Sequence, residues 1–139
     1  MTNLGVLGPV IPSKARIFGW ILVLAGSFFA AVYMFTPGTF FPGVSISSYS
    51  EQFGLYSTGV RILAAVLGIF IALILNRAAL LALMLATRIF TELGDVVVGL
   101  VVNAGSPDAN TVLLTGLAAV EAYFLTGLVR VVSRAGSPA

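Results

Sequence analysis

Three charged residues interrupt an otherwise apolar stretch at positions 78–102. Arg88, Glu92 and Asp95 follow one another at intervals of four and three positions, so at about 100° per residue they share one face of a helix. A charge near the middle of a bilayer costs roughly 2.5–3.5 kcal/mol even on the mildest insertion scale. Three such residues on one face therefore need partners inside a protein bundle, and this face is the first candidate for chemistry.

Arg61 and Glu121 lie in two further apolar stretches and extend this set to five residues. At about 1.5 Å per helical residue, Glu92 and Glu121 both lie about 15 Å from the predicted outer face of the membrane. On the same scale Arg61 and Asp95 lie about 8–10 Å deep. Two of the five are positive and three are negative, so the fully ionised set has a net charge of −1. A proton, a cationic ligand or a water-filled opening would balance this charge.

The leading hypothesis is a buried polar pocket between the second, third and fourth helices that binds a small lipophilic molecule, such as a lipid, an isoprenoid or an epoxide. In an enzymatic version of this hypothesis, the pocket converts that molecule by acid–base chemistry. In this version Glu121 or Glu92 is the protonated acid, and Asp95 is the ionised base or the group that orients a water molecule. Arg88 and Arg61 hold Asp95 ionised and stabilise developing negative charge. Histidine and cysteine are absent from the sequence, which excludes imidazole bases, disulfides and Cys/His metal sites. We expect no cofactor, and the nearby arginines argue against a metal ion on the carboxylates.

A purely structural network is the main alternative to a functional site. Arg88 and Glu92 are spaced i, i+4 and can neutralise each other within one helix, while Arg61 and Asp95 can pin two helices together. Such charges would suit a non-catalytic accessory subunit of a larger membrane complex. A third hypothesis is proton-coupled transport of a small cation, for which so few helices predict a homo-oligomer. Glu121 favours a functional site, because no basic residue on its own helix lies within reach.

Four long apolar stretches must position these residues. The chain of 139 residues is 59% hydrophobic and 9% charged, a balance far from that of a soluble domain, and its length is typical of one domain. The predicted fold class is therefore all-α, a four-helix transmembrane bundle that forms a single membrane domain over residues 1–139. Each predicted helix is long enough for a hydrocarbon core of about 30 Å. The predicted transmembrane helices are 17–36, 56–75, 78–102 and 111–132.

Small residues predict where these helices pack closely. Gly26 and Ala30 are four positions apart on the first helix, a spacing that lets helix backbones approach each other. Similar stripes follow the second and third helices at Ala64, Gly68 and Ala72, and at Ala78, Ala82 and Ala86. The dipeptide Asn76-Arg77 is all that separates these two helices, which predicts a tight antiparallel hairpin.

The distribution of basic residues predicts the orientation of the chain. In a four-helix arrangement, all the basic residues at or beyond the ends of the predicted spans flank the same side of the membrane, which the positive-inside rule assigns to the cytoplasm. Both termini are therefore predicted to be cytoplasmic. The net charge of +2 is too small to suggest nucleic-acid binding, so membrane lipid is the expected surrounding partner. The basic residues that flank the spans are Lys14, Arg16, Arg77, Arg130 and Arg134.

Four features occur together along the chain: a Pro-containing loop after the first helix, Arg61 just inside the second, Gly94-Asp95 in the third and Glu121 in the fourth. This pattern resembles the small four-helix bacterial membrane proteins of unknown function and is similar to the DoxX-like group. The resemblance extends over residues 17–132 and implies a four-helix architecture in the bacterial inner membrane. It carries no activity, so the identity of any ligand stays open.

Overall fold

The computed structural model describes residues 8–36, 48–102, 105–107 and 109–135. Within these ranges the chain forms the helices α1 (Ser13–Phe35), α2 (Tyr49–Ile74), α3 (Ala78–Val102) and α4 (Ala109–Ala135). The all-α, four-helix architecture predicted from the sequence is therefore confirmed. The predicted Pro-containing loop at positions 37–47 lies outside the described residues.

The helices have the length and surface of membrane-spanning segments. Ser13–Phe35, Gln52–Ile74 and Thr111–Ala135 are each long and apolar enough to cross a membrane. The helix α3 has 25 residues and matches them in length, but it carries the three charges of the predicted site. Large apolar side chains are exposed on all four helices, and extended apolar surface of this kind marks contact with a membrane or a partner. The chain thus fits an integral membrane protein; the ends of the spans within the helices stay predictions.

The helices pack as two antiparallel hairpins. The helix α1 lies along α2 and α3 lies along α4, whereas the contact between α2 and α3 that joins the hairpins is smaller. A Cβ atom added at Gly26 of α1 would overlap the side chain of Val66 on α2, and one added at Gly68 of α2 would overlap Met84 on α3. Two of the predicted small-residue stripes therefore lie at close helix–helix approaches.

Gly26→Ala should destabilise the protein, because it inserts a methyl group into this α1–α2 contact. Val66 is buried, and its β-branched side chain has little rotamer freedom with which to move aside. We expect the free energy of unfolding to fall by about 1–3 kcal/mol. Gly116→Ala is the matched control, since nothing lies within 4 Å of an added Cβ there, and it should stabilise the helix by up to about 1 kcal/mol. Equal effects in mixed-micelle unfolding would contradict the close approach.

The turn between α2 and α3 is closed by a left-handed residue, Asn76, with φ of 52°. Asparagine adopts this conformation more readily than most residues. The Asn76 N–H donates to the Leu73 carbonyl and the Arg77 N–H donates to the Ala72 carbonyl, both at 3.1 Å. This is the Schellman arrangement, which satisfies carbonyl groups at a helix end. The tight turn predicted at Asn76-Arg77 is therefore confirmed, although α2 and α3 contact each other less than the helices within each of the two pairs do.

The buried apolar core lies at the end of the bundle that contains this turn. The Ala78 N–H, at the start of α3, donates to the Pro9 carbonyl at 3.0 Å, and Phe18 of α1 stacks on Phe124 of α4 with ring centroids 4.1 Å apart. The start of α1, the α2–α3 turn and the end of α4 thus meet at one end, together with all the predicted cytoplasmic basic residues. Core residues here include Ile11, Ala15, Leu22, Ile69, Leu73, Leu81, Leu85 and Leu128.

Candidate functional site

Arg88 lies at the centre of a buried ion-pair network between α3 and α4. Its Nε donates to Oε1 of Glu121 at 2.8 Å, and its Nη2 donates to Oε1 of Glu92 at 2.5 Å. The side chains of Arg88, Glu92 and Glu121 are 11%, 8% and 0% exposed. We call these three residues the buried triad.

The triad continues the apolar packing faces of its two helices. Leu85 precedes Arg88 by three positions on α3, and Ala118 and Leu128 lie three and seven positions from Glu121 on α4; all three apolar residues are buried. Residues at these spacings share one face of a helix. The charged groups therefore occupy positions that would otherwise hold core residues, and helix packing keeps them in place.

Each carboxylate of the triad has one oxygen without a hydrogen-bond partner. Oε2 of Glu92 and Oε2 of Glu121 are buried, and no described residue donates to either atom. A buried ion pair compensates for its desolvation only when its remaining lone pairs are also satisfied. In addition, one guanidinium faces two carboxylates, which leaves a net charge of −1 when all three are ionised. A proton on one carboxylate would balance this charge, and so would a positive hydrogen-bond donor beyond those supplied by the described residues, which would also satisfy the open oxygens.

Arg61 and Asp95 form a second and more open ion pair. Nη2 of Arg61 donates to Oδ2 of Asp95 at 2.7 Å and so joins α2 to α3. The two side chains are 49% and 36% exposed. Asp95 lies about one helical turn from Glu92, and the two carboxylates interact electrostatically. A polar path thus leads from the partly exposed pair between the hairpins to the fully buried Glu121.

The structure brings the five predicted site residues into two groups. Arg88, Glu92 and Glu121 form the buried triad, while Arg61 and Asp95 form the open pair. Both pairs expected of a structural network, within α3 and between α2 and α3, are present. In the acid–base hypothesis both arginines act on Asp95, whereas Arg88 in fact binds the two glutamates. Among the described residues, no three acidic side chains lie close enough together to hold a metal ion.

Two further residues, Tyr33 and Thr91, lie near the charged network. Tyr33 of α1 lies within electrostatic range of both Arg61 and Asp95. Its position depends on the rotation of α1 against α2, for which the sequence carries no local signal. Thr91 shares the charged face of α3, but its hydroxyl donates to the Arg88 carbonyl at 2.8 Å. Tyr33 therefore lies near the open pair, while the Thr91 hydroxyl bonds within its own helix.

Comparison with known proteins gives no match, so the functional proposal depends on the charged network. No protein-family model matches the chain, and no curated protein or solved structure matches it either. The resemblance to the DoxX-like group depends on Arg61, Gly94, Asp95 and Glu121 and stays a prediction.

Proposed function

We propose that this chain is an integral membrane protein that binds a small lipophilic molecule through a polar head group at the buried triad. The observation that carries the proposal is the pair of buried carboxylate oxygens, on Glu92 and Glu121, that accept no hydrogen bond from the described part of the chain. A head group with a hydroxyl or an amine donates to these oxygens. A protonated amine also balances the net charge of the triad, and charge-assisted hydrogen bonds are the stronger kind.

The proposed entrance to the triad lies between α2 and α3, beside the pair formed by Arg61 and Asp95. The two hairpins contact each other less than the helices within each hairpin do, and both charged side chains are partly exposed. Charged groups at such a depth need water or other polar groups around them. In this proposal water fills the entrance, and the apolar body of the ligand lies against the surrounding apolar helix faces.

The proposed orientation directs this entrance towards the outer leaflet. The basic end of the bundle then lies in the cytoplasm, as the positive-inside rule requires, and both termini lie on that side. The resemblance to small bacterial membrane proteins supports the bacterial inner membrane as the location.

Single cysteine substitutions test the entrance and the orientation together, because the natural sequence contains no cysteine. A thiol reacts as the thiolate, which forms poorly in apolar surroundings. Asp95→Cys should react with a charged, membrane-impermeant maleimide added outside intact cells. Phe90→Cys should react at least about tenfold more slowly. Phe90 is 79% exposed on an apolar face of the same helix, where we expect the thiol to contact lipid instead of water. Equally slow labelling at both positions would rule out a water-filled entrance. Labelling of Asp95→Cys only in permeabilised cells would show that the orientation in the membrane is the opposite of the proposed one.

Mass spectrometry of an organic extract of the purified protein tests binding itself. We expect a lipophilic species with an amine or hydroxyl head group to co-purify in stoichiometric amount with the natural protein and to be depleted from Glu121→Gln. Thr87→Ala is the matched control, because Thr87 is adjacent to Arg88 but exposed, and its hydroxyl donates to the Leu83 carbonyl of its own helix. Equal retention by all three proteins, or retention by none, would refute the proposal.

Proton-coupled transport of a small cation is a second candidate, favoured by the polar path from the open pair to Glu121. The net charge of the triad would then be balanced by a proton or by the transported cation in turn. Uptake of a small cation into proteoliposomes, driven by a pH gradient and abolished by Glu121→Gln, would distinguish this candidate. In that case no stoichiometric lipophilic species would co-purify.

A further inference from the structure

A second feature of the bundle, which shares no lining residue with the triad, is a groove between the start of α1 and the end of α4. It has a volume of about 210 Å³. Its lining combines two cationic side chains, Lys14 and Arg130, with the aromatic and apolar side chains of Tyr123, Phe124 and Leu128.

The cationic part of the groove is not neutralised by the described part of the chain. Lys14 and Arg130 are exposed and form no ion pair with any described residue, and no acidic residue is among the lining residues. The start of α1 adds to the positive potential. Its N-cap is Pro12, which makes no side-chain capping bond, and its first turn contains no acidic residue, so the partial positive charge of the helix N-terminus remains.

The groove extends from these cations towards the apolar part of the bundle. Arg130 and Tyr123 are separated by about 10 Å along α4. Phe124 stacks on Phe18 of α1, and this contact joins the two helices beside the groove. Gly127 lies between the two ends and leaves open space where a side chain would project. The groove therefore has a cationic end near the membrane surface and an apolar end within the bilayer.

We propose that this groove binds an anionic phospholipid of the surrounding membrane. The phosphate lies between Lys14 and Arg130 at the N-terminus of α1, an arrangement that combines charge-assisted hydrogen bonds with the helix dipole. The acyl chain lies along Tyr123 and Phe124, past the gap at Gly127. Basic pockets between transmembrane helices on the cytoplasmic side recognise lipid head groups in this way. The site is separate from the buried triad, so it does not rest on the function proposed there.

Native mass spectrometry of the full-length protein in detergent tests this site, with phosphatidylglycerol and phosphatidylcholine of the same acyl chains as probes. Phosphatidylglycerol should bind more tightly, and Lys14→Gln/Arg130→Gln should lower its affinity about thirtyfold. The matched control is Arg16→Gln/Arg134→Gln, which removes two charges from the same end of the bundle but not from the groove. It should lower the affinity by less than about threefold.

A second variant, Gly127→Leu, keeps every charge and fills the groove, and it should abolish the preference for phosphatidylglycerol. Circular dichroism of each variant establishes that the helices are retained. Equal losses in the two double variants would show that the attraction is diffuse and would overturn the proposal. Unchanged lipid binding by Gly127→Leu would also overturn it. Complete competition by inorganic phosphate would show an anion site without lipid recognition, contrary to the proposal.

Discussion

Arg88→Met lowers the free energy of unfolding by about 3–5 kcal/mol, the usual cost of removing one partner from a buried ion pair. Arg88 donates to both Glu92 and Glu121, so this one change leaves two buried carboxylates without their cation. Methionine keeps much of the length of the arginine stem, whose methylene groups also pack against their neighbours. The expected loss is therefore mainly electrostatic. Unfolding in mixed detergent micelles, followed by circular dichroism, measures it.

Arg61→Met is the matched control for this prediction, because it makes the same change in the open pair. The side chains of Arg61 and Asp95 are partly exposed, and exposed ion pairs contribute about 0–1 kcal/mol when water surrounds them. A small effect of Arg61→Met beside a large effect of Arg88→Met would support both the buried triad and the water-filled entrance. Similar effects of the two substitutions would contradict this division.

Replacement of the whole triad separates a structural role from a functional one. The triple variant Arg88→Met, Glu92→Leu, Glu121→Leu removes all three charges and fills the space with apolar side chains of similar size. Such replacements of buried ion-pair groups are often neutral or stabilising by about 1–4 kcal/mol. If the triad serves a ligand, this variant should be as stable as the natural protein and should retain no lipophilic species. A large loss of stability in the triple variant would instead favour the structural alternative.

Local spacing was sufficient to predict part of this network. Arg88 and Glu92 pair because residues four positions apart face each other on any helix. The depths estimated from the outer face of the membrane were sufficient to predict that Arg61 lies near the level of Asp95 and that Glu92 lies near the level of Glu121. The helix ends were less predictable: α1 begins at Ser13, whereas the predicted span begins at residue 17. Basic residues mark where the membrane ends, but they are good helix formers, so the helix continues past them.

The remaining features depend on how the helices rotate and how far the hairpins separate. Glu121 has no basic residue within reach on its own helix, and which arginine it meets on another helix depends on the faces that α3 and α4 present to each other. The exposure of Arg61 and Asp95 depends on the small contact between the hairpins. These are properties of the packed bundle, and no short stretch of the sequence carries them.

Glu121→Gln should weaken the binding of a long-chain primary amine by about 2–5 kcal/mol, or roughly 30- to 4,000-fold. The natural triad has a net charge of −1, and the ammonium group balances it while donating to the open oxygens of Glu92 and Glu121. In the variant the triad is neutral, so the ammonium remains as an uncompensated charge in an apolar bundle. Glutamine has nearly the same shape as glutamate, which limits the effect on packing.

Hexadecylamine, hexadecanol and hexadecane form a probe series that separates the contributions to this binding. The amine provides charge and hydrogen bonds, the alcohol provides hydrogen bonds alone, and the alkane provides only apolar surface, so the natural protein should bind them in that order. Glu121→Gln should cost the alcohol only about 1 kcal/mol, because the amide oxygen still accepts a hydrogen bond, and it should leave the alkane unchanged. Thr87→Ala should leave all three affinities unchanged.

An alkane that binds as tightly as the amine would mean that the triad takes no part in binding. Equal losses of affinity for all three probes would point to a change in packing. Only a loss graded by head group supports the buried carboxylates as the recognition site.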